Sequence, residues 1–179
     1  FIGGLATFPL PPFSLFSLIF VLGLGIHIIN KVNSFKNIFY AGWFLGFGWF
    51  SFGLHWIGSA FLVTDTYQVF LMPLAVIILP SILALFWALA FSLAKFIANK
   101  MGYSVLLMIV TLSLAEYIRS YIFTGFPWLM PSMSLTSNEY MLQIFSFVGS
   151  YTGNLVVITM VTLPFILFYN WRFKYSIFL

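Results

Sequence analysis

Glu116 and Arg119 stand three residues apart in AEYIRSYIF, and no other charge lies between Gly102 and Asn138. On a helix this spacing puts both side chains on one face, where they can pair. Ionisable groups in so apolar a run are costly and point to function. Two roles fit the pair. In one, Arg119 lies about a turn from the outer end of a span and snorkels to a lipid phosphate. In the other, the two charges form a structural ion pair that staples their helix to its neighbours.

The next stretch, FTGFPWLMPS, packs Gly125, Pro127 and Pro131 among Phe126 and Trp128. No continuous helix accommodates it, since each proline removes a backbone donor and clashes with the preceding turn. Non-helical backbone exposed to lipid would leave N–H and C=O groups unpaired, so the loop belongs at an interface. Phe126 and Trp128 suit the headgroup level, where aromatic rings are favoured.

Other chemistry-bearing residues are sparse. His55 and His27 read as hydrogen-bonded structural groups rather than as ligands or bases. Gln143 and Asn154 lie at depth and need partners. No Gly-x-Ser-x-Gly elbow, His-Glu-x-x-His pair or phosphate-cradling loop is present. Cysteine is absent and only three acidic residues occur, which excludes thiolate chemistry and a carboxylate relay within these residues. No catalytic residue, metal site or cofactor is assigned.

The elements that must position these groups follow from composition. The chain of 179 residues is 63% hydrophobic and 6% charged, whereas soluble domains carry about 25% charged residues. Ten charges cannot cover the surface of a soluble protein of this size, so the fold class expected is an all-α, polytopic transmembrane bundle. The net charge of +4 gives no reason to expect nucleic acid, because the few basic residues cluster at the ends of apolar runs.

A helix crossing a bilayer core needs about 20 residues. Spans are expected over 13–29, 38–63, 69–94, 104–123 and 139–169, with partial spans over 1–8 and 175–179. That makes about six spans with a truncated one at the ends. Pro80 predicts a kink in the span over 69–94. The last full span is longer than needed, so its first turns tilt or lie outside the core. Both ends read as cut, the first without Met or a basic leader and the last inside a new apolar run, so a fragment of a longer protein is expected.

Charge alternates along the connections. NKVNSFKN, KFIANKMGY and NWRFK each carry two basic residues, and the connections between them carry none. This is the positive-inside pattern. It places 30–37, 95–103 and 170–174 in the cytoplasm and Thr124–Trp128 on the outer, periplasmic side. Gly42, Gly46 and Gly53 in one span, and Gly149 with Gly153 in another, read as close-packing positions. Trp43, Phe47, Trp49, Phe50 and Trp56 then face lipid or fill grooves.

AEYIRSYIFTGFPWLMPSMS (115–134) resembles the Glu-x-x-Arg helix and Thr-Gly-Phe-Pro-Trp loop of bacterial apolipoprotein N-acyltransferases. The loop is Thr124, Gly125, Phe126, Pro127 and Trp128 here. GWFLGFGWFSFGLHWIGSAF, FIGGLATFPLPPFSLFSLIF and FSFVGSYTGNLVVITM resemble other spans of that family in order; Arg119-Ser120 departs from its common Arg-Gly. The resemblance implies an eight-span inner-membrane enzyme with a periplasmic nitrilase-like domain between the last two spans, carrying a Glu-Lys-Cys triad. Its cysteine takes an acyl chain from a phospholipid donor and passes it to the N-terminal amine of a diacylglyceryl apolipoprotein. None of the triad falls in this chain, so it is expected to be inactive alone. Glu116, Arg119 and residues 124–128 are the candidates for shaping the mouth of a lipid groove. A transporter or channel subunit, a non-catalytic membrane scaffold and a decayed gene product are the rival readings.

Overall fold

The computed structural model describes residues 13–61, 67–101, 103–122, 129–136 and 139–176. The partial span expected over 1–8 and the Thr124–Trp128 pentapeptide lie outside them. Among the described residues the chain is all-helical. Helix α1 covers Phe13–Lys31, α2 Phe35–Gly53, the short α3 Ile57–Ala60, α4 Met72–Met101, α5 Ser104–Ile122, α6 Glu139–Val148 and α7 Ser150–Ser176. Two 3₁₀ turns, Tyr67–Leu71 and Pro131–Leu135, precede α4 and α6. Tyr175 and Ser176 thus end α7.

Helix α4 is the hub, most extensively against α2 and then against α5, and α5 packs on α7. The α2–α4 contact is close because small residues meet. A Cβ at Gly42 would stand 3.0 Å from Ala88 Cα, Phe91 Cβ and the Trp87 carbonyl oxygen. One at Gly46 would stand 3.0 Å from Trp87 Cβ and 3.2 Å from Ala84 Cα. Gly42/Gly46 and Ala84/Ala88 are both i,i+4 pairs, so one helix backbone sits in the other's groove.

Burial follows the helical period. On α4, Leu83, Trp87, Phe91 and Ala94 are buried, while Leu74, Ile78, Ile82, Leu85, Leu89, Leu93 and Phe96 form an outward stripe 39–59% exposed. Helix α5 repeats the pattern, with Met108, Leu112, Glu116 and Arg119 inside and Leu106, Val110, Leu114 and Ile118 outside. Two stretches, Val69–Met101 and Ser104–Ile122, are long and apolar enough to cross a membrane by length and composition. Leu18–Lys31 and Ser150–Phe165 are shorter apolar helices.

Two expected spans are interrupted. The one over 38–63 ends as α2 at Gly53, where Leu54 N donates to the Phe50 carbonyl at 2.9 Å, and a turn leads into α3. The one over 139–169 is two helices divided at Gly149, which holds φ +76°. That left-handed conformation ends a helix. Helix α4, by contrast, continues through Pro80.

At one end of the bundle, Lys95 is buried and its Nζ donates to the Ile29 carbonyl at 2.8 Å and to Asn33 Oδ1 at 3.4 Å. It thereby satisfies a carbonyl in the last turn of α1, where the helix dipole favours a cation. Ser104 Oγ donates to Asn30 Oδ1 at 2.7 Å beside it. Lys31, Lys36 and Lys100 are exposed and flank the same α1–α2 and α4–α5 junctions. Since α5 returns antiparallel to α4, Glu116 and Arg119 lie toward the opposite end.

Candidate functional site

Glu116 and Arg119 occupy one face of α5, and both side chains are wholly buried. Arg119 Nη2 donates to Glu116 Oε2 at 2.5 Å. The other carboxylate oxygen accepts from the indole N–H of Trp87 on α4 at 2.8 Å. The guanidinium lies over the Phe50 ring of α2, 5.0 Å from its centroid, a cation–π contact that desolvation strengthens. A buried charge survives only when paired and hydrogen-bonded, and three helices contribute to that here. Arg119 is wholly buried, with its guanidinium over the Phe50 ring inside the bundle, a placement that suits a structural staple.

The aromatic shell extends the site. Trp87 stacks on Trp49 at 6.1 Å and 23°, and meets Phe50 edge-on at 5.9 Å and 71°. Trp49 donates its indole N–H to the Leu129 carbonyl at 2.9 Å. Leu129 directly follows Trp128 and holds φ +42°, a left-handed conformation uncommon for a non-glycine residue. Gly53 leaves the space its side chain fills, since a Cβ there would overlap the Leu129 methyl groups. The chain leaving the pentapeptide is therefore tied to α2 by a hydrogen bond and by close packing.

The 3₁₀ turn comes next. Met130, Pro131, Ser132 and Ser134 are buried. Ser132 N donates to Asn154 Oδ1 of α7 at 3.0 Å, and Ser134 Oγ donates to the Pro131 carbonyl at 2.7 Å. Asn154, expected to need a partner, caps this turn. The ion pair, the Trp87–Trp49 stack and the Leu129–Leu135 segment thus form one continuous layer.

The remaining candidates are dispersed. Gly42 and Gly46 face α4, and Gly53 faces Leu129. Gly153 lies under the Phe145 ring of α6, while nothing stands within 4 Å of a Cβ at Gly149, whose role is the chain break. Trp49 and Phe50, expected toward lipid or in grooves, are core residues, whereas Trp56 is exposed. Gln143 is exposed on α6. His55 is exposed and its Nδ1 lies 2.6 Å from the Phe52 carbonyl, a local contact at the end of α2. Trp87 was not singled out by the sequence reading. Its signal was an indole N–H inside a fully apolar helix, a donor that must find an acceptor. Among the described residues no group of three or more His, Cys, Asp or Glu converges as a metal site requires.

Known proteins match most of the length of this chain. The family described as Apolipoprotein N-acyltransferase N-terminal domain matches residues 2–163. The chain belongs to this family. It is 32% identical over 171 residues to an apolipoprotein N-acyltransferase of Rhodopseudomonas palustris, covering 92% of this chain and 32% of that protein. A Sinorhizobium fredii relative of the same name is 33% identical over 175 residues, covering 90% of this chain and 32% of its own length. A Brucella suis relative is 38% identical over 136 residues, covering 70% and 26%. The chain spans about a third of the length of these curated relatives. No solved structure matches.

Proposed function

We propose that the chain is the membrane domain of an apolipoprotein N-acyltransferase. In this reading the enzyme moves an acyl chain from a phospholipid to the N-terminal amine of a diacylglyceryl apolipoprotein in the bacterial inner membrane. The observation that carries it is the inverted burial. Glu116 and Arg119 are wholly buried while Leu74, Ile77, Leu89 and Met160 stand 56–63% exposed. In water such apolar exposure is unfavourable; against acyl chains it costs little.

The family membership supports the reaction class, and the burial of the ion pair supports the following division of labour. Glu116 and Arg119, with Trp87, Phe50 and Trp49, are the rigid support. Thr124, Gly125, Phe126, Pro127 and Trp128 are the lipid-facing residues at the periplasmic interface. Helices α1, α2, α4, α5 and α7 supply five of the about six spans of the bundle, residues 1–8 belong to a further one, and the lysine-bearing junctions lie in the cytoplasm. Acyl transfer needs an activated nucleophile and an oxyanion stabiliser. The 179 residues hold no cysteine, so these groups come from a nitrilase-like domain outside them, and this chain alone is inactive.

The test uses the full-length enzyme in vesicles, with a labelled phospholipid donor and a diacylglyceryl peptide acceptor. Trp128→Ala is expected to lower the rate by more than tenfold without changing thermal stability. Arg119→Ala is expected to lower both. Unchanged transfer in both variants overturns the reading.

A further inference from the structure

Helix α6 does not continue α7 and is too short to cross a bilayer. Its ten residues extend about 15 Å, half of an apolar core of about 30 Å. Gly149 closes it in the left-handed conformation, with its N–H donating to the Phe145 carbonyl at 2.8 Å. The bend beyond is sharp. In a straight helix Phe145 and Gly153 would be about 12 Å apart along the axis, yet the Phe145 ring covers Gly153.

Two kinds of surface remain on α6. Glu139, Gln143 and Ser146, at i, i+4 and i+7, form an exposed polar stripe. Tyr140 and Phe147, on an adjoining face, are 78% and 90% exposed. Phe147 is the most exposed large apolar side chain among the described residues. No lysine or arginine lies on α6, so it does not suit a polyanionic partner.

The neighbouring surface identifies the occupant. Tyr117 and Tyr121 of α5 and Tyr151 in the first turn of α7 form a cluster with ring centroids 4.9–6.3 Å apart. Tyr117 and Tyr121 are 44% and 64% exposed. Amphipathic rings of this kind collect at the level of lipid headgroups. Below Tyr151, α7 presents Leu155, Val156, Met160 and Leu163, all exposed. The exposed apolar face of α7 is thus flanked at one level by the tyrosine cluster on Tyr151's side and by α6, which covers Gly153, on the other.

We propose that α6 lies in the plane of the outer bilayer interface. Tyr140 and Phe147 sit in the boundary between headgroups and acyl chains, and the Glu139–Gln143–Ser146 stripe faces water. This is the arrangement of a helix lying on a membrane rather than spanning it. The inference rests on the membrane reading of the bundle but concerns only α6 and its depth.

The test exploits the absence of cysteine from these 179 residues. In the full-length protein, with every cysteine outside them replaced by serine, single cysteines at Leu85, Gln143 and Phe147 are spin-labelled, and the protein is reconstituted in phosphatidylcholine vesicles. Accessibility to oxygen and to a water-soluble nickel chelate then reports depth. All three positions are exposed, so the substitutions spare the core. Leu85 is expected deep in the acyl core, Phe147 at the boundary, and Gln143 in water with several-fold higher nickel accessibility than Phe147. A Phe147 label as deep as Leu85 makes α6 part of a span and overturns the proposal. A Phe147 label as wet as Gln143, with Leu85 deep, overturns it while leaving the membrane reading intact. A Leu85 label in water overturns the membrane reading, and this inference with it.

Discussion

Trp87 on α4 donates its indole N–H to the carboxylate of Glu116 on α5, and neither side chain is accessible from outside the bundle. The carboxylate is shared between this indole and Arg119. Both acceptor oxygens are occupied, and α4 and α5 are locked in register. Trp87→Phe keeps the ring but deletes the donor. It is expected to cost about 1–3 kcal/mol, the penalty for an acceptor left unsatisfied in the interior. Thermal unfolding in detergent reads this as a lowered Tm.

The ion pair carries a sharper signature. Arg119→Met leaves the Glu116 charge uncompensated and is expected to cost about 3–5 kcal/mol. The double variant Glu116→Leu/Arg119→Met removes both charges and is expected to be more stable than Arg119→Met alone. A double-mutant cycle on Tm or denaturant midpoint measures the coupling. Additive losses would mean that the two groups act separately.

Glycine positions separate two mechanisms. Gly42→Val forces a side chain against the α4 backbone at Ala88 and Trp87, neither of which can swing aside. A loss of about 1–3 kcal/mol is expected from overpacking. Gly149→Ala meets open space but must hold φ +76°, costing about 1–2 kcal/mol from conformation alone. Gly149→Asn is expected to recover part of that loss, because asparagine tolerates the left-handed region, whereas Gly42→Asn recovers nothing.

Asn154 holds the turn after the pentapeptide through Ser132 N. Asn154→Ala is expected to cost about 1–3 kcal/mol and to speed hydrogen exchange selectively at the Ser132 amide. Equal exchange in variant and parent would show that the turn is held by other contacts.

Lys95 and Lys36 look alike in the charge pattern but differ in the fold. Lys95 Nζ caps the α1 C-terminus from a buried position, whereas Lys36 is exposed. Lys95→Met is expected to lower stability by about 1.5–3 kcal/mol, the range for a charged hydrogen bond. Lys36→Met is expected to stay within about 0.5 kcal/mol.

Much of the helical framework was legible because membrane-type helices are written in long apolar runs. The face shared by Glu116 and Arg119 follows from i,i+3 spacing, and the Gly42/Gly46 face from i,i+4. What each face meets was not legible. Burial of Arg119 depends on Phe50 and Trp87, which arrive from α2 and α4, tens of residues away. Trp49 and Phe50 were left open between facing lipid and filling grooves because aromatic residues serve both lipid faces and cores, and local sequence does not distinguish them. Gly149 was read as packing because the letter G marks close approach and helix termination alike. Only φ +76° decides between them. The Thr124–Trp128 pentapeptide was the most distinctive signal in the sequence, and the geometry bears only on the segments at its two ends.

The most direct test is the side of the membrane that carries the pentapeptide. A Thr124→Cys variant is made in the full-length protein with every cysteine outside these 179 cysteine-free residues replaced by serine, and is treated in intact cells with a membrane-impermeant maleimide that passes the outer envelope. A Lys36→Cys variant serves as its counterpart. The expected result is labelling of Cys at 124 without disruption of the inner membrane, and of Cys at 36 only after disruption. The reverse pattern would contradict the orientation, the interfacial role of Trp128 and the assignment of this chain to periplasmic acyl transfer.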